Sequence, residues 1–153
     1  MKLRSIALLA IAAFLTACNT KNEKDAQSAL PIKGTWELVS GTTITKGVSA
    51  FTDYTKNQRM IKIINDTHFA FLKHSLNTKK DSTNAFDAGG GKYTIAGDQY
   101  TEHLDFYNDK AWEGKTFTFT VSFKNDTLIQ KGIEKVEKAG IDRVIIEKYI
   151  RVK

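Results

Sequence analysis

The sequence predicts an all-β domain of about eight antiparallel strands, closed into an up-and-down barrel. Three observations point there. Apolar residues in the last four-fifths of the chain recur with a period of two rather than 3.6. Short turn signals separate the apolar runs at regular intervals. The single proline, Pro31, stands at the entrance to the domain, so it interrupts no strand. A meander of this kind solves its edge problem most simply by closing on itself. The main competitor, an open sandwich, needs longer crossing connections.

The elements follow in order. "GTWELVS" opens the first strand and puts Trp36 and Leu38 on one face. "RMIKII" and "HFAFL" are β-branched or aromatic runs of strand length, joined by "NDT" at Asn65–Thr67. "YTEHLDFY" alternates, with Tyr100, Leu104 and Phe106 on one side, and "AGDQ" turns into it. "KTFTFTVSF" is the cleanest alternation: Phe117, Phe119, Val121 and Phe123 face one way, threonines and Ser122 the other. A second "NDT" follows at Asn125–Thr127, and "RVIIEKYIRV" ends the chain. Asn and Asp tolerate the positive φ that tight hairpins need, so both triplets are expected to supply it. Two connections read as long: residues 44–58, and residues 75–91, which end in "GGG". "NDKAWEGK" and "EKAGID" read as turns of intermediate length.

Residues 1–17 do not belong to the barrel. Lys2 and Arg4 precede the apolar run "IALLAIAAFL". That run is too short for a membrane-spanning helix, which needs about 20 residues, and matches a signal-peptide core. "LTAC" then ends on Cys18, the only cysteine of the chain, and resembles the bacterial lipobox. That resemblance implies cleavage before Cys18 and acylation of its thiol. An ordinary signal peptide cut after Ala17 is the alternative. Acyl chains bury roughly 0.8 kcal/mol per methylene, so two or three hold a protein on a membrane durably. Residues 18–31 read as the lipidated cysteine and a polar tether, and residues 32–153 as the barrel domain. The expected location is the bacterial cell envelope, on a membrane and outer-membrane or periplasm-facing.

The chain has 23 basic and 17 acidic residues; loss of Lys2 and Arg4 leaves 21 against 17. The excess is scattered, with no basic stripe interleaved with aromatics, so no nucleic-acid partner is expected. His68 and His74 lie six residues apart, about 20 Å along a strand, too far to share a metal. No paired cysteines exist to hold zinc. Neither a metal nor a cofactor is expected.

"GTW" at Gly34–Trp36 resembles the glycine-x-tryptophan signature of lipocalins and their relatives. That resemblance implies a tryptophan plugging the closed end of the barrel, with an arginine of the last strand across its ring; Arg151 stands at the matching place. "GGGKYTIAGDQYTEHLDFY" followed by "GKTFTF" looks like the lipocalin-like domain of uncharacterised bacterial lipoproteins, and the likeness covers most of residues 32–153. The disulfide and long helix of the transport lipocalins are not in the sequence, so retinoid or pheromone carriage is not implied.

Period two turns Glu102 inward with Tyr100 and Leu104. A carboxylate inside a barrel is costly unless paired or hydrogen-bonded. It reads either as a ligand-orienting group with Tyr93 and Tyr100, or as half of a structural pair with a lysine or arginine, or as a rim residue. Phe71, Phe117 and Phe119 are the expected apolar liners. His103 and Asp105 share the outer face, with no nucleophile placed beside them, so no enzyme is expected. The expected function is binding of a small, partly apolar ligand in the barrel. The alternative is an envelope interaction protein with a filled barrel and no ligand.

Overall fold

The computed structural model describes residues 30–76 and 85–153. Cys18, the leader and most of the tether lie outside the described residues. The strands are β1 (Gly34–Thr45), β2 (Val48–Asp53), β3 (Gln58–Ile64), β4 (His68–Ser75), β5 (Phe86–Ala96), β6 (Gln99–Leu104), β7 (Phe106–Tyr107), β8 (Lys115–Lys124), β9 (Thr127–Val136) and β10 (Ile141–Arg151). Neighbouring strands pair antiparallel in the order β10-β9-β8-β6-β5-β4-β3-β1, and β10 pairs back onto β1. The sheet is therefore a closed barrel with eight staves, as the alternation predicts. β7 continues the β6 stave after a break at Asp105, pairing Gly89 with Tyr107.

β1 is long enough to serve two partners on one edge. Residues 34–37 pair β3, and residues 40–45 pair β2. On the other edge it runs along β10 from Trp36↔Arg151 to Ile44↔Val144, with a register shift between Leu38 and Ser40. Such a shift increases the local twist of the strand.

Both long connections are shorter than the sequence suggests. Residues 44–58 contain β2, folded onto β1 through a turn with positive φ at Lys46 and Gly47. The glycine triplet is not loop but mid-strand: Gly89, Gly90 and Gly91 pair with Phe71, Ala70 and Phe69. The reason is steric. A Cβ on Gly90 would lie 2.5 Å from the Phe69 carbonyl, and one on Gly91 would strike the His103 carbonyl. Small residues allow β5 to bend tightly enough to join two neighbours. The two "NDT" turns also differ from each other. Asn125 has φ +54, as expected, but Asn65 does not enter the left-handed region. Its Oδ1 instead accepts the Thr67 and His68 amides at 2.9 and 2.8 Å.

Candidate functional site

The closed end is built from the entrance segment and the last strand. Trp36 is fully buried, and its Nε1 donates to the Ile32 carbonyl at 2.6 Å. The Arg151 guanidinium lies 4.2 Å from the Trp36 ring centre and donates to the carbonyls of Lys33 and Pro31, both at 2.7 Å. The arginine is exposed, so its charge stays in water while its face covers the indole. Gly34 holds φ +134, and a Cβ there would collide with the guanidinium. The glycine-x-tryptophan spacing thus has a local cause: the glycine leaves the room that the arginine needs. The Phe123 ring packs tilted against the indole, 5.8 Å between ring centres.

Above this floor lies a buried polar network. Lys62, on β3 between Met60 and Ile64, points inward and donates to Glu102 at 2.7 Å and to Gln130 at 3.0 Å. Its ammonium also sits 5.3–5.9 Å from the ring centres of Tyr149, Phe69 and Tyr100. Gln130 donates onward to Glu147 at 3.4 Å, and the Tyr149 hydroxyl donates to the same carboxylate at 2.7 Å. Burial pushes the Glu147 carboxyl above its usual range, opposed by the charge of Lys62 and the Tyr149 hydroxyl. Burial and the neighbouring Glu147 push the Tyr149 phenol well up.

The network floors a cavity of about 240 Å³ that opens at the mouth. One wall is a run of rings in contact: Phe71–Tyr107, Tyr107–Trp112, Trp112–Phe117 and Phe117–Phe119, with centres 5.7–6.5 Å apart. Burial and Asp87 push the Tyr107 hydroxyl up to about 12. Trp112 comes from the connection before β8. Asp109 folds that segment back by accepting the Ala111 amide on its side chain at 2.8 Å and the Trp112 amide on its carbonyl at 3.0 Å. Arg143 of β10 also lines the cavity, paired with Glu134 at 2.6 Å and 5.9 Å from the Trp112 ring centre. Lys73 and Asp87 pair at 3.3 Å near the rim.

Of the residues the sequence points to, Phe71, Glu102, Phe117 and Phe119 line this cavity. Tyr93 and Tyr100 do not. Tyr100 packs below the cavity, its ring 5.3 Å from Tyr93, and its hydroxyl is buried with no hydrogen-bond partner among the described residues. Tyr93 lies nearer the closed end, donating its hydroxyl to the Asn65 carbonyl at 2.8 Å. Both share the inward alternation, but depth along the barrel separates them from the hollow part. Glu102 takes the paired form of its reading, through Lys62. His103 lies on the outside, bonded to Thr116 at 3.0 Å. No three His, Cys, Asp or Glu side chains among the described residues converge as a metal-ligand set. Lys62, Gln130, Glu147 and Trp112 were not singled out. The first three could have been found as polar residues in inward register: Lys62 with Ile64, Gln130 with Leu128, Glu147 with Tyr149.

No protein-family model and no curated protein matches the chain. Solved structures similar to it include the following three. A lipocalin-like protein from Bacteroides uniformis shares 16% identity over 78% of this chain and 97% of its own, with a TM-score of 0.49. An uncharacterized protein from Bacteroides eggerthii shares 12% over 78% and 98%, with a TM-score of 0.46. A variant of the fluorescent protein UnaG shares 10% over 80% and 96%, with a TM-score of 0.37. The fold is lipocalin-like in this chain's own terms: a closed eight-stranded antiparallel barrel floored by Trp36 under Arg151.

Proposed function

We propose that the barrel is a binding site for a small, partly apolar molecule. The observation that carries this reading is the cavity itself: about 240 Å³, open at the mouth, with a continuous ring wall facing a few convergent polar groups. Binding sites for drug-sized ligands run roughly 300–1,000 Å³, so the occupant is small. Ring faces supply area, and the fixed charges supply orientation. No catalytic step is assigned. Native mass spectrometry of protein purified from its own host tests the reading. A retained small molecule is expected. A bare polypeptide mass, with no small aromatic probe bound on titration, would remove it.

The signal core and the lipobox-like "LTAC" support a further proposal, that Cys18 carries the lipid anchoring this domain in the cell envelope. Metabolic labelling with a palmitate analogue is expected to mark the protein and to fail on Cys18→Ala. A second reading of the domain, contact with another protein, is favoured by Val48 and Phe51 of β2, which are 72% and 71% exposed.

A further inference from the structure

Four carboxylates reach the cavity and three cations answer them. Asp87 pairs with Lys73, Glu102 with Lys62, and Glu134 with Arg143. Among the described residues, Glu147 is the cavity-lining carboxylate with no lysine or arginine in ion-pair contact. It has two neutral donors only, the Tyr149 hydroxyl at 2.7 Å and Gln130 at 3.4 Å. On the strand opposite, Gly41 of β1 is its direct partner in register. The Tyr54 ring packs over that glycine, 3.1 Å from where a Gly41 Cβ would stand. An aromatic ring that lines the cavity therefore lies beside the carboxylate that has no ion pair.

We infer that the cavity takes a small arylalkylamine, its ammonium on Glu147 beside Tyr54 and its ring against the Trp112–Phe117 wall. This inference rests on the proposed binding function. The alternatives fit the charges less well. A carboxylate ligand would meet four acidic side chains against three basic ones. The cations that could receive it are engaged: Lys62 by two acceptors, Arg143 by Glu134 and by the Trp112 ring. A neutral ligand would leave Glu147 with its two neutral donors and gain nothing from the carboxylate. An ammonium converts it into the fourth pair, with charge-assisted hydrogen bonds. Burial raises the Glu147 proton affinity against the pull of Lys62, and a bound ammonium would add to that pull.

Calorimetric titration of the purified protein with three probes of one shape tests this: phenethylamine, phenylethanol and phenylpropionate. Phenethylamine is expected to bind about tenfold or more tightly than either of the others. Glu147→Gln is expected to remove that advantage while phenylethanol affinity stays within about twofold, and Glu147→Asp to keep most of it. If phenylethanol or phenylpropionate binds as well as the amine, the inference is overturned and cavity binding stands. If none of the three binds, the inference is also overturned, and the cavity reading falls only if host-purified protein carries nothing. The wild-type ranking needs no variant, so a misfolded Glu147→Gln protein does not rescue the idea.

Discussion

Toward the closed end the inward positions carry Trp36 on β1, Ile64 on β3, Leu128 on β9 and Tyr149 on β10, all buried, with the Tyr149 hydroxyl reaching up to the polar level. Two to five residues along, toward the mouth, the same strands present Gly41, Lys62, Gln130 and Glu147. The alternation is the same at both levels, but the packing problem differs. Below, large apolar side chains meet at the axis and fill it, as interiors normally do. Above, charged groups reach sideways to one another, and a glycine supplies no volume. Four carboxylates and three cations cannot close over the axis as rings can. A cavity remains where the chain places charge instead of bulk. The floor is thus filled, and the polar groups gather toward the mouth.

The boundary between the two levels is the Lys62–Glu102 pair, and breaking it is the largest perturbation expected. Lys62→Met leaves Glu102 buried without its cation and should cost about 3–5 kcal/mol, read by urea unfolding. Replacing both partners, Lys62→Met with Glu102→Leu, should recover most of that loss. A double variant as unstable as the single one would mean that the lysine acts through packing, not charge.

At the floor, Gly34→Ala should cost about 1–3 kcal/mol, because alanine is strained at φ +134 and its methyl displaces Arg151. The two causes separate in a cycle. In an Arg151→Ala background only the backbone strain remains, so the penalty should shrink. An unchanged penalty assigns the whole effect to φ and removes steric room for the arginine as the reason for glycine.

At the mouth, stability and binding should part company. Trp112→Ala removes a half-buried ring from a turn and should lower stability by about 1 kcal/mol or less. Phenylethanol and phenethylamine affinities should both fall severalfold, since the ring wall serves either probe. A variant that loses stability as Lys62→Met does, yet binds normally, would show that Trp112 belongs to the fold rather than the site.

Much of this was legible in the sequence, for identifiable reasons. Alternation in "KTFTFTVSF" and "GTWELVS" fixes which faces turn inward, since period two leaves no other choice. The resemblance of "GTW" to a known signature led to Arg151 at the other end of the chain. What was not legible is depth. Tyr93, Tyr100 and Glu102 share one inward set, but alternation does not say how far along the axis a residue sits, and Tyr100 falls below the hollow. Pairing across the axis was equally hidden. Lys62 and Glu102 stand 40 residues apart, and only barrel closure brings them to 2.7 Å. Trp112 lay in a polar turn, where no periodicity marks a side chain that folds back over the mouth.

The smallest effect expected is also the one with reversed sign. Glu147 faces Lys62, Glu102, Glu134, Tyr149 and Tyr54, and the balance of burial over attraction holds its carboxyl above the usual range. The folded protein therefore keeps this proton to higher pH than the unfolded chain does. Between the ordinary carboxylate value and the raised one, the folded state binds more protons, so this residue's contribution to stability falls as pH rises. Glu147→Gln removes that decline. Its melting temperature should match or slightly exceed the wild type's at neutral pH, and the gap should close on acidification toward the ordinary carboxylate range. Phenethylamine should reverse the order by raising the wild-type melting temperature alone. A glutamine variant that melts lower than wild type across the whole pH range would mean that the carboxylate is already compensated within the barrel, and the mouth would then hold no unanswered charge to set against the filled floor.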